Sequence, residues 1–224
     1  MRRRLALLLL TCLAAPAPAL ALAAGGDPKE RLTAADQTRA RTLVLAQGDF
    51  GPGWKRTRSP QQEDESLRCP GFEPDLSDLT VTGEAESEFA HSGGGFVGSF
   101  SSLMRSPQEA AASWARTVKP GLVRCLASFF RQGVAQEGAT ARIVRQGAVA
   151  FPRVAPRTAA FRIVARIGLP VTEETVPFVV DLVVLGRGRA DVGLMAIAPG
   201  KGTPAADLRA LARTLATKLE RSGA

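Results

Sequence analysis

The sequence contains no tyrosine, one histidine, three cysteines and two tryptophans among its 224 residues. The lack of tyrosine removes one common general acid and one common aromatic platform. With His91 as the only imidazole, the mature chain offers too few ligands for a histidine–cysteine zinc site. Any serine–histidine pair must also use His91, and none of the usual nucleophile, phosphate-binding or metal motifs is present. We therefore expect no catalytic residues, no metal and no cofactor, and an envelope hydrolase is the least favoured function.

Long apolar segments are absent except at the start of the chain. Arg2 to Arg4 lead into apolar residues 5–13, and small residues with A-x-A spacing follow. This pattern is typical of a signal peptide, and the apolar run is shorter than the ~20 residues that span a bilayer. We expect residues 1–23 to be a signal peptide cleaved near Ala23–Ala24. Residues 24–224 are then a single secreted or extracytoplasmic domain.

A lipid anchor is the alternative for the same segment. Cys12 follows "LLT", which faintly resembles the lipobox of bacterial lipoproteins, although threonine is a poor residue at that place. Lipidation would convert a secreted protein into a membrane-anchored one. We expect membrane association only if Cys12 is lipidated.

The positive charge is modest and scattered. The full chain carries 29 basic and 21 acidic residues, and loss of Arg2, Arg3 and Arg4 leaves 26 basic residues and a net charge of +5. No block of five or six cations is present, which is what a nucleic-acid-binding arm would show. We expect no nucleic-acid partner.

Two cysteines, Cys69 and Cys125, remain after cleavage of the leader. In an oxidising compartment they most simply form one disulfide, which closes a long loop. The loss of chain entropy in the unfolded state gives such a bond about 4 kcal/mol. The bond would pin the long loop 58–78, which carries Cys69.

The stretch "SEFAHSGGGFVGSF" lies between two alternating runs, 79–89 and 96–104. A phosphate-binding loop needs glycines between a strand and a helix, and these glycines connect two strands. The segment is therefore predicted to be a hairpin, with His91 in its turn.

Three helical regions are predicted. The first follows Thr33 and ends at "QGDFGPGW". The second begins at Ser106, Pro107 and Glu109 with the pattern of a capping box, and Pro120 should kink or break it before it resumes. The third opens at residues 203–204 and shows leucines at helical spacing.

Four further strands are predicted over residues 140–151, 158–167, 174–185 and 189–198. Residues 178–185 are nearly all apolar and are typical of a central strand. The resulting order is α-ββ-α-ββββ-α. We expect an α+β fold with an antiparallel sheet of about six strands, helices packed on one face and one disulfide. The helices at 106–118 and 203–215 align without gaps, which indicates either an internal repeat or only similar composition.

Carboxylates alternate on one predicted strand, where Glu84, Glu86 and Glu88 share a face. They either form a solvated face paired with Arg162 and Arg166, or a contact for a protein partner or cation. A separate acidic group at 63–65 lacks the spacing of a calcium loop.

Aromatic residues are concentrated on loops that the disulfide can draw together. Phe50 and Trp54 flank "GPG", Phe72 follows "CPG", and Trp114 lies on the middle helix. They either close the end of the core or line a pocket for a small apolar ligand.

A family resemblance rests on four features: the signal peptide, the "GDFGPGW" exit from the first helix, a cysteine before the first strand and another on the middle helix. In this element order the chain resembles the extracellular sensor domains of PknH-type receptor kinases and related lipoproteins with a PsbP-like fold. Those domains carry two disulfides, whereas this chain can form one. The resemblance implies an exported, non-catalytic, ligand-binding or sensor-like domain of the cell envelope, with an apolar ligand or envelope protein as its partner. The alternative is a structural or protein-interaction module that uses the polar sheet face.

Overall fold

The computed structural model describes residues 26–57, 69, 71–168 and 174–223. In these ranges the chain forms strands and helices in one α+β fold, which confirms the predicted class. The strands are β1 (Lys29–Glu30), β2 (Trp54–Thr57), β3 (Thr80–His91), β4 (Gly95–Met104), β5 (Thr140–Ala148), β6 (Arg157–Gly168), β7 (Thr175–Arg187) and β8 (Ala190–Pro199). The helices are α1 (Ala34–Leu43), α2 (Pro107–Thr117), α3 (Pro120–Gln136) and α4 (Ala205–Arg221). The predicted signal peptide, Cys12 and most of the predicted loop 58–78 lie outside the described residues.

The sheet has eight strands and is mixed, so the prediction of a six-stranded antiparallel sheet is wrong in detail. Its order is β1-β3-β4-β8-β7-β6-β5, and β2 also pairs with β3. β1 runs parallel to β3, and the other pairings are antiparallel. β1 and β2 were not predicted, because strands of two and four residues are too short for an alternating pattern to show.

Helices cover both faces of the sheet, and the prediction that they share one face is wrong. On β7, Val183 and Leu185 pack in a core with α1 and α4. The alternate residues Leu182 and Val184 pack in a second core with α3. A strand buried on both sides is apolar at nearly every position, which is the pattern that residues 178–185 show. We name the two surfaces the α1/α4 face and the α2/α3 face.

The start of α2 confirms half of the predicted capping box. Ser106 Oγ accepts a hydrogen bond from Glu109 N at 3.2 Å, with Pro107 at the first helical position. The Glu109 side chain does not reach back to the cap. It accepts a hydrogen bond from Thr80 N at 3.1 Å and pairs with Arg105, so it ties the helix to β3.

Pro120 separates α2 from α3, as predicted, by starting a new helix at its first position. This break lets α3 turn toward β5 and β6, where it covers the far half of the sheet. The two helices that echo each other in sequence, α2 and α4, pack on opposite faces.

Serines on β4 attach α1 to the sheet. Ser99 Oγ accepts a hydrogen bond from Leu45 N at 2.8 Å and is 2.8 Å from Ser87 Oγ. Ser101 Oγ donates to Ala40 O at 2.9 Å. All three serines are buried, and these contacts give them a structural role.

Candidate functional site

A cleft of about 290 Å³ lies on the α2/α3 face, between α3, β5 and the disulfide. The predicted disulfide is confirmed, with the Cα atoms of Cys69 and Cys125 5.2 Å apart. The cleft is lined by Cys69, Gly71, Phe72, Gly121, Arg124, Cys125, Ala127, Ser128, Arg131, Ile143 and Gln146.

Helix α3 supplies the polar wall of the cleft. Arg124, Ser128 and Arg131 are spaced by four and three residues, which places them on one side of a helix. Arg131 Nη2 donates to Ser128 Oγ at 3.0 Å. Neither arginine forms an ion pair within the described part of the chain. This wall therefore presents two guanidinium groups that no carboxylate of the described residues pairs with.

A bulge in β5 completes the opposite wall. Ile143 pairs with Ala165 and Arg145 pairs with Val164, so Val144 is the extra residue. After this shift Gln146 pairs with Ile163 and lies on the same face as Ile143. In a regular strand Gln146 would point away from the cleft.

Phe72 is the apolar end of the cleft, and two contacts hold it. Phe72 N donates to Cys69 O at 2.9 Å, which forms a turn next to the disulfide. Its ring lies against Gly121, where a β-carbon would come within 2.8 Å of ring atoms Cγ and Cε2. Only glycine at position 121 allows this approach.

The lining of the cleft combines an apolar surface with two cationic side chains. The described lining residues include no carboxylate, no imidazole and no free thiol. They do include an apolar surface formed by Phe72, Ile143 and the disulfide, close to Arg124 and Arg131. An amphiphilic anion could place its apolar part on this surface and its charged group beside Arg124 and Arg131.

The four aromatic residues predicted to share a pocket are separated by the sheet. Phe50 and Trp54 pack on the α1/α4 face, with ring centroids 5.1 Å apart, and Phe50 is 4.3 Å from Phe89. Phe72 and Trp114 lie on the α2/α3 face. Of the four, Phe72 alone lines the cleft.

Trp114 has a separate environment. The guanidinium carbon of Arg157 lies 5.8 Å from its ring, and Arg157 Nη2 is 3.0 Å from Asp191 Oδ1. Burial raises the pKa of Asp191 to about 6, and Arg157 opposes that rise. A glycine at position 186 leaves room for this pair, because a β-carbon there would lie 2.8 Å from Arg157 Nη2.

The predicted acidic face is present, although its predicted cationic partners are elsewhere. Glu84 and Glu86 are exposed on the α2/α3 face, and Glu88 is buried. Desolvation by the surrounding protein, with repulsion from Glu88 and Glu84, raises the pKa of Glu86 to about 7. Desolvation also raises the pKa of Glu84, and the charge of Glu30 adds to the rise.

Arg162 and Arg166 lie on the α1/α4 face, so the predicted pairing with these glutamates is wrong. Arg162 alternates with Ile163, whose side chain is in the opposite core. Arg162 Nε is 2.6 Å from Asp181 Oδ1, and its Nη2 is 3.2 Å from Oδ2. β4, β8 and β7 separate these arginines from β3. Sequence alone gives neither the strand order nor the face.

His91 ends β3, and the predicted hairpin is confirmed. Its Nδ1 accepts a hydrogen bond from Gly93 N at 3.0 Å, and its ring is 5.2 Å from that of Trp54. These contacts stabilise the turn.

Among the described residues, no group of three histidine, cysteine, aspartate or glutamate residues is placed to hold a metal ion. The acidic residues 63–65 lie outside the described ranges. Across the same ranges, none of the helices has the length and apolar character required for crossing a bilayer.

Comparisons with protein-family models, with curated proteins and with solved structures found no match for this chain. The resemblance to PknH-type and PsbP-like domains therefore stays a prediction.

The polar lining of the cleft was not predicted from the sequence. The sequence does contain a pattern that indicates a polar side of α3. Within the apolar segment "LVRCLASFFRQ", the polar residues Arg124, Ser128 and Arg131 recur at helical spacing. Gln146 carried no such signal, since its position depends on the bulge.

Proposed function

We propose that this protein is an exported, non-catalytic domain that binds a small amphiphilic anion in the cleft beside Cys69–Cys125. The ligand's apolar part would contact Phe72, Ile143 and the disulfide. Its anionic group would lie between Arg124 and Arg131. The observation that carries the proposal is the presence, at the rim of an apolar cleft, of two guanidinium groups that have no carboxylate partner in the described parts of the chain.

The cellular setting is part of the same proposal. The leader has the pattern of a signal peptide, and a disulfide between the two remaining cysteines fits an oxidising compartment. A sensor-like role follows from binding without catalysis.

The first experiment identifies a natural ligand. The mature chain, residues 24–224, is produced with its disulfide in its native envelope and studied by native mass spectrometry. A mass excess that disappears on denaturation would support the proposal and give the mass of the ligand.

A second experiment tests the cleft itself with defined probes. Octanoate and the matched neutral alcohol octanol are compared by thermal melting of the oxidised protein. Ligand at about 100 times its Kd stabilises a protein by about 2.7 kcal/mol, which raises Tm by several degrees. We expect octanoate to raise Tm well above the effect of octanol, because only the carboxylate engages the arginines.

Variants show whether the cleft is responsible. Arg124→Gln and Arg131→Gln should each abolish the preference for octanoate over octanol. Ser128→Trp should fill the cleft and remove both effects. Arg213→Gln, at an exposed position on α4, is the matched control and should bind like the wild type. Equal responses of the wild type and Ser128→Trp to octanoate would refute the proposed site.

A further inference from the structure

Arg142, Arg145 and Arg166 lie on the α1/α4 face, and we name them the basic strip. Their side chains form no hydrogen bond or ion pair within the described residues. Arg142 and Arg166 are direct cross-strand partners on β5 and β6. Like charges placed opposite each other across a sheet destabilise it. The sheet therefore carries an unfavourable arrangement that no carboxylate of the described residues compensates.

The bulge in β5 places the third arginine of the strip. Both Val144 and Arg145 oppose Val164, so both lie on the α1/α4 face. In a regular strand Arg145 would point to the α2/α3 face with Ile143. The side chain of Val144 is 54% exposed beside these arginines, and it is one of few large apolar residues at the described surface.

On the same face, the positive charge of Arg162 is compensated by a carboxylate. Its charge is neutralised by Asp181, whereas Arg166, the next arginine on that side of β6, has no such partner among the described residues. The helices of this face pack mainly on other strands, α1 on β3 and β4 and α4 on β7 and β8. In the described part of the chain, Arg142, Arg145 and Arg166 are exposed at the β5 edge of the sheet.

A complementary charge lies at the opposite edge of the molecule. Glu84 and Glu86, which we name the acidic strip, are exposed on β3, and neither carboxylate has a partner among the described residues. They are alternate residues on a strand and so lie about 7 Å apart. Arg142 and Arg145 follow one strand at a comparable spacing, increased by the bulge.

The two strips cannot neutralise each other within one molecule. β4, β8 and β7 lie between β3 and β6, and the strips face opposite sides of the sheet. Their charges can meet only between molecules. We propose that the basic strip of one copy docks on the acidic strip of a second copy, with Val144 covered in the contact.

This contact uses two different surfaces, so it is heterologous. After one pairing each molecule still has a free strip, which gives chains that grow with concentration unless the geometry closes a ring. The proposal is independent of the cleft, which lies at another place on the α2/α3 face.

The test is a charge exchange between the two strips. Sedimentation velocity of the oxidised mature protein is measured over a concentration series at low salt and at about 0.5 M salt, where surface charges are screened. We expect the sedimentation coefficient to rise with concentration at low salt and to stay constant at high salt. Glu86→Arg alone and Arg166→Glu alone should each weaken association by at least about fivefold.

The mixture of the two variants is decisive. Glu86→Arg retains a wild-type basic strip, and Arg166→Glu retains a wild-type acidic strip. Mixing them therefore restores one contact and should yield heterodimers without longer chains. Arg41→Glu and Glu220→Arg, at exposed sites on α1 and α4, are matched charge reversals that should associate like the wild type. Circular dichroism and melting confirm that each variant is folded.

Three outcomes would overturn the proposal. The first is a wild type that stays monomeric at low salt over the whole series. The second is association that the two strip variants leave unchanged. The third is monomeric protein that binds vesicles rich in phosphatidylglycerol through the basic strip, which would make an anionic membrane the partner instead.

Discussion

The ring of Phe72 occupies the space beside Gly121 that a β-carbon would fill. This contact joins the loop that carries Cys69 to the first turn of α3. It also positions the apolar end of the cleft. The packing of the loop on the helix and the shape of the candidate site therefore both depend on the contact between Phe72 and Gly121.

We expect Gly121→Ala to displace Phe72 and to destabilise the protein by about 1–3 kcal/mol, the usual cost of overpacking. Gly133→Ala on the same helix is the matched control, because a β-carbon at position 133 meets no atom within 4 Å. There the better helix propensity of alanine should stabilise the protein by about 1 kcal/mol. Urea unfolding of both variants measures the difference. Equal effects from the two substitutions would show that Phe72 does not lie against position 121.

The ion pair between Arg162 and Asp181 predicts an asymmetric response to mutation. Asp181 is 1% exposed, whereas the Arg162 side chain is 30% exposed. Removing the arginine leaves a buried carboxylate without a partner, which costs about 3–5 kcal/mol. Removing the aspartate leaves an arginine that can turn to water, so Asp181→Ala should cost less than Arg162→Ala.

The double variant Arg162→Ala/Asp181→Ala should recover part of the loss, as a double-mutant cycle by urea unfolding would show. Arg166→Ala is the control on the same strand and face. It should change the free energy of unfolding by no more than about 0.5 kcal/mol, since the Arg166 side chain forms no ion pair with any described residue. A large loss at Arg166 would contradict its placement.

Glu86 should titrate near neutral pH, with a pKa of about 7 in the folded protein. The ordinary value is 4.5, so between these values the folded state holds a proton that the unfolded chain has released. Stability from this group is therefore present below pH 4.5 and is lost as the pH rises toward 7. NMR titration of the glutamate side-chain carboxyl carbons measures the midpoint directly.

Glu86→Gln tests the same point through stability. Glutamine is neutral at every pH, so the variant should be more stable than the wild type above pH 7 and should lose that advantage below pH 4.5. Glu84→Gln should lower the pKa of Glu86, because one source of repulsion is removed. A midpoint for Glu86 close to 4.5 would contradict this account.

The disulfide should matter for the cleft as well as for stability. Replacing Cys69 and Cys125 with serine removes a restraint on a long loop and should cost about 4 kcal/mol in unfolding experiments. It should also weaken octanoate binding, because Phe72 is held by the turn at Cys69. Binding that survives in the serine variant, at a temperature where the variant is folded, would show that the disulfide does not shape the site.

The sequence predicted those parts of the fold that depend on local patterns. The hairpin at His91, the cap at Ser106 and the break at Pro120 are set by neighbouring residues, and the structure confirms each of them. The disulfide was predictable because Cys69 and Cys125 are the two cysteines that lie outside the predicted signal peptide.

The layer arrangement and the site depend on relations between distant residues. Residues 178–185 already indicated a strand covered on both faces, and reading that run only as a central strand led to the wrong layer arrangement. The placement of Arg162 depends on strand order, and that of Gln146 on a single bulge. Neither strand order nor a bulge can be predicted from a local sequence pattern. The separation of Phe50 from Phe72 by the sheet also depends on strand order and could not be predicted.

The bulge in β5 has a consequence for how this chain tolerates insertions and deletions. A lost residue in a regular strand turns every later side chain to the wrong face. β5 already holds one residue more than β6 opposite it, so loss of Val144 would restore regular alternation. Arg145 would stay on the α1/α4 face and Gln146 would still line the cleft. Position 144 is therefore a place where the length of this strand can change without moving its later side chains to the opposite face.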